Sequence, residues 1–215
     1  STNDVGNMYG LNKSVFENLE ILLQGKPKKV DVCYINDKPF VYVACFGDYI
    51  DLSYATPRKL KKKYGEAAYF LYALKQFRPK ISSHKIRYKV DGKEFTGEYS
   101  FIFITNSSRV GGQPDVYYDV KLDDKKFEVC LANAGSLKEM VRMLLLATTV
   151  DVKTIPNVTY YQTDNFELEF LSKTKASWGV DGEEYKTEEN ILKFRVEQSM
   201  KMLVPKEKIN KLFNE

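Results

Sequence analysis

Residues 30–54, VDVCYINDKPFVYVACFGDYIDLSY, decide the fold. They read as two strands joined at Asn36-Asp37-Lys38-Pro39, where turn formers interrupt apolar residues. In the first strand Val30, Val32 and Tyr34 alternate with Asp31 and Cys33, the pattern of a half-buried strand. The second, over 40–46, is apolar at every position, as in a strand covered on both faces. It stops at Gly47-Asp48, where a small residue admits close approach of backbone or ligand. A core hairpin accounts for the stretch without any function.

Working outward, 215 residues allow one large domain, or one domain plus a fragment of another. A hydrophobic content of 43% suffices for a packed core, and 15 Tyr with 13 Phe lean towards strands. Cys33, Cys45 and Cys130 lack metal-ligand spacing and lie in apolar strand-like runs. They read as reduced core residues of a cytosolic protein. No apolar run approaches membrane-spanning length and no signal-peptide pattern opens the chain, so a soluble protein is expected.

Net charge is +4 but unevenly spread. Residues 58–89 hold eleven Lys or Arg and one acid, Glu66, so that stretch carries +10 and the remainder −6. Arg58, Lys59, Lys61, Lys62 and Lys63 fall in the first turns of a helix expected over 57–77, with Leu60, Tyr64, Ala67, Leu71 and Leu74 on its buried face. Cations there oppose the helix dipole. The cluster is either a solvated helix end or a surface for anionic lipid headgroups or phosphate. No stacking platform or recognition helix accompanies it, so nucleic acid is not the expected partner.

The remaining pattern is mostly short strands. Helices are expected to about Tyr9, over 14–23 with Val15, Leu19, Leu22 and Leu23 inward, and after Pro205. Ser136 caps another helix to about Ala147, with Leu137, Val141, Leu144 and Leu145 inward. Strands are expected over 85–90, 94–105, 116–122, 127–132, 159–162, 166–171, 175–180 and 191–196, with hairpin turns at Asp91-Gly92 and Asp181-Gly182. The fold class is mainly β (α+β): an antiparallel β-sandwich with two long helical connections and short terminal helices.

The inventory of chemistry is mostly negative. A single histidine, His84, builds no metal site, and nucleophile elbow, Walker loop and dinucleotide fingerprint are all missing. Asp119, Asp123, Asp124 and Glu128 gather around a turn: either solvated or oxygen ligands for a hard cation such as magnesium. Glu183, just after Asp181-Gly182, is either an exposed turn residue or a general base on a rigid hairpin.

These signals align with one family. Ser1-Thr2-Asn3-Asp4 looks like the end of a Gly-Thr-x-Asn-Asp motif, and helix, glycine and Val-Asp strand follow over 22–32. The 40–47 strand, Tyr64-Gly65, the 101–106 strand, Gly111-Gly112, Leu122-Asp123-Asp124 and Val180-Asp181-Gly182-Glu183 complete the order. The chain thereby resembles the diacylglycerol kinase catalytic family, the soluble bacterial lipid kinases, in its C-terminal lobe. The resemblance implies an ATP-dependent lipid kinase making phosphatidic acid from diacylglycerol, cytoplasmic and peripheral at an anionic membrane surface, with Mg2+ as cofactor. Another lipid alcohol (a sphingoid base or ceramide) or a non-catalytic lipid- or partner-binding β-sandwich are the alternatives.

The family places a nucleotide-binding α/β domain ahead of this region. The chain therefore divides into 1–27, hinge and remnant of that domain; 28–204, the β-sandwich; and 205–215, a helix that would return to the missing domain. The chain alone is expected to be inactive, and a homodimer is a compatible assembly. By resemblance, Ser1 matches a threonine contacting ATP and Asp4 sits at the cleft floor near the phosphates. Asp124 matches the side-chain ligand of a structural magnesium, with carbonyls of Lys121 and Lys126. Glu183 matches the base that takes the proton of the lipid hydroxyl. The family has Asp-Gly where this chain has Asp124-Lys125, so an altered loop is expected.

Overall fold

The computed structural model describes residues 3–11, 14–48, 80–113, 116–172 and 177–214. Ser1 and the expected 57–77 helix with its basic cluster lie outside the described residues. Two six-stranded antiparallel sheets face each other. The first orders its strands β2 (Lys38–Phe40), β1 (Lys26–Ile35), β12 (Ile191–Val204), β9 (Asn165–Phe170), β4 (His84–Val90) and β5 (Lys93–Tyr99). The second orders β11 (Glu183–Lys186), β10 (Ser177–Val180), β3 (Val43–Gly47), β6 (Phe101–Thr105), β7 (Phe127–Ala132) and β8 (Val158–Thr163). Helices α1 (Asp4–Met8), α2 (Val15–Leu23), α3 (Leu137–Ala147) and α4 (Lys206–Leu212) join them. The expected antiparallel sandwich is the fold that forms.

Sequence period explains the layering. In β4, Ile86, Tyr88 and Val90 are buried while Lys85, Arg87 and Lys89 are exposed, the signature of a strand with one wet face. In β7 all six residues are buried. Phe127, Val129 and Leu131 point between the sheets, and Cys130 joins a second apolar cluster on the opposite face with Tyr117, Val152 and Ile155. Two-sided cover is why β3, β6 and β7 read as nearly continuous apolar runs. Trp178 is buried at the centre of the inner core, its ring 5.5 Å from Phe46 of its own sheet and 5.4 Å from Phe194 of the other.

Five expectations change. The strand expected over 40–46 is interrupted: Phe40 ends β2 in the first sheet and Val43 opens β3 in the second, with Val41 and Tyr42 between them. The strand expected over 94–105 is two strands in different sheets: Tyr99 pairs with His84, but Phe101 pairs with Ala132. The chain crosses at Ser100, whose N–H donates to the Ala132 carbonyl (2.8 Å) and whose hydroxyl donates to that of Ala134 (3.0 Å). No strand forms over 116–122, because Asp119 takes a left-handed φ of 62° that breaks the extended run. Val116, Tyr117, Val120 and Leu122 are buried all the same.

Helix α3 starts at Ser136, whose hydroxyl accepts the Glu139 N–H, but it is turned from the expected face. Val141, Leu144 and Leu145 are 45%, 55% and 65% exposed, while Met143, Leu146 and Ala147 pack inward. Helix α2 has the Ser14–Glu17 capping box, yet Val15, Leu19 and Leu23 of its expected inner face are exposed.

Candidate active site

The hairpin between β10 and β11 turns at Asp181 and Gly182, with φ of 49° and 85°. Both positions are left-handed, as a two-residue hairpin of this hand requires, and Asp-Gly meets that demand at little cost. The Asp181 carboxylate accepts three backbone N–H groups, from Val41 (2.9 Å), Tyr42 (3.0 Å) and Val43 (3.0 Å). Val41 and Tyr42 lie between β2 and β3, where no ladder partner reaches them, and Val43 opens β3. The Asp181 N–H donates back to the Val43 carbonyl at 2.9 Å. Glu183 follows as the first residue of β11, opposite Val180 and exposed. Its backbone is thus carried by a hairpin anchored at both ends.

Tyr42 faces a second carboxylate. Its hydroxyl donates to Asp4 Oδ2 at 2.5 Å and accepts the Gly111 N–H at 2.9 Å. Asp4, 3% exposed, also accepts the Gly112 N–H at 3.0 Å and lies 3.7 Å from Arg109 Nε. Arg109 Nη2 donates to the Gly112 carbonyl at 3.2 Å. Gly111 and Gly112, at φ of 61° and 88°, form a tight turn closed by reciprocal bonds between Val110 and Gln113. Burial, with the hydrogen bond to Asp4 adding to it, pushes the Tyr42 phenol well above its ordinary range. The phenol stays a neutral donor. Asp4, the glycine turn and the 181–183 turn are therefore all fastened to one residue, Tyr42, and Arg109 is held beside Asp4 and Gly112.

Residues 121–126 lie further along the same network. The Asn106 N–H donates to the Tyr42 carbonyl (3.1 Å) and its side-chain amide to the Asp31 carbonyl (3.0 Å). Asp31 Oδ2 in turn accepts the Lys125 N–H at 2.6 Å. Lys125 takes a left-handed φ of 58° without the help of a glycine, held there by that bond. Asp124 Oδ1 accepts the Lys126 N–H at 3.0 Å. The Lys121 ammonium donates to the carbonyls of Asn210, Lys211 and Phe213 at 3.0, 3.2 and 3.3 Å, tying the loop to the C-terminal end of α4.

The carboxylates of this second region are short of donors. Asp31 Oδ1 and Glu128 Oε2 are buried without a hydrogen-bond partner among the described residues. Burial pushes Asp31 up to about 6, with Asp124 and Asp123 adding repulsion and the Lys125 N–H opposing. Burial likewise raises Glu128 to about 8 and lifts Asp124 above its usual range. Among the described residues no group of three His, Cys, Asp or Glu side chains is arranged for a metal. The expected ligand set has one carboxylate and two carbonyls, an oxygen-only set beside two orphaned carboxylate oxygens. That donor chemistry fits a hard cation.

Sequence reasoning did not single out Tyr42, Arg109, Asn106 or Asp31. Tyr42 sits inside an apolar run and reads as core, and the only local hint at Asn106 is an amide directly after an apolar strand.

Fold and constellation together define a β-sandwich domain with an exposed acidic hairpin next to a buried carboxylate and a glycine turn. The chain belongs to the YegS C-terminal NAD kinase beta sandwich-like domain family, whose model matches residues 54–196. It is 27% identical over 183 residues to a diacylglycerol kinase of Staphylococcus aureus strain bovine RF122 / ET3-1, covering 85% of this chain and 57% of that protein. The diacylglycerol kinase of strain JH9 matches with the same identity and coverage. A solved structure of a diacylglycerol kinase from Bacillus anthracis str. Sterne shares the fold at TM-score 0.70 and 17% identity, over 97% of this chain and 67% of that one. The resemblance to the diacylglycerol kinase β-sandwich is borne out. This chain spans 57% of the length of the curated relatives it matches. Among the described residues, no helix is long and apolar enough to cross a membrane.

Proposed function

We propose that this chain is the lipid-acceptor lobe of an ATP-dependent kinase that converts diacylglycerol to phosphatidic acid, with Glu183 as its base. One observation carries the reading: Tyr42 joins Asp4 through its side chain and the Glu183 hairpin through its backbone, so the two residues matched to the phosphate cleft and to the base share one support. In the reaction the Glu183 carboxylate takes the proton of the acceptor hydroxyl. The hydroxyl oxygen bonds to the γ-phosphorus of ATP while the bond to the β–γ bridging oxygen breaks, and ADP leaves with that electron pair. Asp4 acts by orienting Tyr42 and the glycine turn, beside which Arg109 offers a cation. Ser1, matched to an ATP contact, completes the nucleotide side.

Magnesium in the 121–126 loop would be held by the Asp124 side chain and the carbonyls of Lys121 and Lys126. It would neutralise the donor-poor carboxylates around it, a structural contribution. We assign 28–204 to the sandwich, 1–27 to the hinge and 205–215 to a helix that returns to a nucleotide-binding domain. Lys59, Lys61, Lys62 and Lys63 dock the enzyme on anionic bilayers, a reading supported by their charge density. Their joint replacement by Gln lowers vesicle binding and its salt dependence; unchanged binding rejects the docking role.

The test is transfer of labelled phosphate from ATP to diacylglycerol in mixed micelles with magnesium. This chain, the chain joined to a preceding nucleotide-binding half, and that longer protein carrying Glu183→Gln are compared. Transfer by the longer protein alone is the expected outcome. Transfer by this chain alone, or full activity in Glu183→Gln, rejects the assignment.

A further inference from the structure

Asn36 stands at the corner between β1 and β2, half-buried and left-handed at φ 51°. Asn is one of the few side chains that take this conformation readily. Its N–H donates to the Lys193 carbonyl at 2.8 Å, which carries the β1–β12 ladder one step past the Ile35–Phe194 pair. In a regular ladder the Lys193 N–H would return to the Asn36 carbonyl. It goes instead to the Asn36 side-chain oxygen, at 2.9 Å. The other end of that amide, Nδ2, donates to Glu189 Oε2 at 2.8 Å. Only one orientation of the amide satisfies both partners.

Glu189 lies in the link through which the chain leaves β11, in the second sheet, for β12, in the first. The link is turned by Thr187, whose hydroxyl accepts the Glu189 N–H at 3.1 Å. Strand β11 needs such support. It is four residues long, stands at a sheet edge and, among the described residues, pairs only with β10. A short edge hairpin is marginal by its own pairing. Asp181 fastens its turn to Val41, Tyr42 and Val43, and Asn36 fastens its exit. Both anchors belong to one run of the chain, 36–43, so the hairpin that carries Glu183 is gripped at its two ends by a single cradle.

We propose that Asn36 is a positioning residue for the Glu183 base: the clasp that fixes the exit of its hairpin as Asp181 fixes the turn. The role of Glu183 rests on the kinase reading above; the clasp rests on the two side-chain hydrogen bonds. A base works only within hydrogen-bond reach of the hydroxyl it deprotonates, and a misplacement of about 1 Å costs on the order of a hundredfold in rate. With its exit released, the edge hairpin pivots about Asp181 and takes the exposed Glu183 carboxylate with it.

The test separates the clasp from its consequence. Asn36→Gly keeps the left-handed corner and removes both side-chain bonds. Asn36→Asp keeps an acceptor for the Lys193 N–H but meets Glu189 with a like charge; adding Glu189→Gln lets amide and carboxylate trade places and restores the bond. Amide hydrogen exchange on this chain reads the clasp. Residues 183–190 are expected to exchange about tenfold faster in Asn36→Gly and in Asn36→Asp, to slow again in the swapped pair, and to leave β7 unchanged. Exchange unmoved by either single substitution, raised equally in β7, or not slowed by the swap overturns the proposal.

Phosphate transfer to diacylglycerol by the chain joined to a nucleotide-binding half reads the positioning. Asn36→Gly lowers kcat by about tenfold or more with KM for ATP unmoved. In a Glu183→Gln background it costs nothing further, because a residue that acts through the base has no base left to place. Losses that multiply in the double variant overturn the positioning role and leave the kinase reading standing. Exchange as expected, with no transfer by the longer wild-type protein, upholds the clasp and overturns the kinase reading instead.

Discussion

Two groups of carboxylates stand at opposite ends of one hydrogen-bond path. Asp4 and Asp181 are rich in donors: Asp181 takes three backbone N–H groups, and Asp4 takes a phenol, a backbone N–H and the proximity of a guanidinium. Asp31 and Glu128 each keep a buried oxygen without a partner among the described residues, and burial raises both towards the protonated form. The first group has its charge paid out in bonds and acts as framework. The second favours a proton or a cation. Glu183 belongs to neither; it is exposed, on a frame that Asp181 holds still.

The comparison makes graded predictions. Under the proposed role, Glu183→Gln in the chain joined to a nucleotide-binding half lowers phosphate transfer by about a thousandfold, while the unfolding free energy of this chain shifts by less than about 0.5 kcal/mol. Urea titration and phosphate transfer read the two halves of that statement, and a stability loss equal to the activity loss would make Glu183 part of the framework. Asp181→Ala strips an acceptor from three N–H groups and costs about 3 kcal/mol of stability. Asp181→Asn keeps an acceptor oxygen and costs less; equal losses would mean the charge and not the bonding matters.

Magnesium tests the donor-poor group. Added to the wild-type chain at neutral pH, it raises the unfolding free energy by about 1–3 kcal/mol at saturating concentration, and Asp124→Asn removes the increment. Calorimetry showing the same increment in both proteins rejects the loop as the cation site. The smallest effect concerns pH. The folded pKa of Asp31 is raised from 3.8 to about 6, so folded protein binds the extra proton. Its stability contribution is full below about 3.8 and is lost as pH rises through about 6. Asp31→Asn keeps an acceptor for the Lys125 N–H and lessens that fall by about 1–2 kcal/mol without magnesium. A denaturation series between those pH values that is identical for both proteins would remove Asp31 from the donor-poor group.

Legibility in the sequence followed the range of the interactions. β4 was readable because its alternation is local, and Asp91-Gly92 and Asp181-Gly182 because their turn chemistry is. The crossing at Ser100 was not, since strand-forming residues flank it on both sides and nothing in a period of two says which sheet a strand joins. The orientation of α3 misled because apolar residues occur around most of its circumference, so Leu144 and Met143 compete for the inner face. Glu183 and Asp124 stood out by position, one after a hairpin turn and the other in a run of carboxylates, and resemblance to a family supplied the role expected of each. Tyr42 and Arg109 escaped because their partners lie far along the chain: Tyr42 meets Asp4 across 38 positions and Gly112 meets Asp4 across 108.

The pairing of β1 with β12 has a consequence for synthesis. Lys26 lies opposite Val204 and Ile35 opposite Phe194, so β1 waits for nearly the entire domain before it acquires that neighbour. At a ribosomal rate of about 5–20 residues per second, the wait lasts on the order of ten seconds or more. Val30, Val32, Cys33 and Ile35, all buried at the end, spend that interval without their final cover. Binding by holding chaperones during that interval, until β12 leaves the exit tunnel, is the expected consequence of such a long-range pairing.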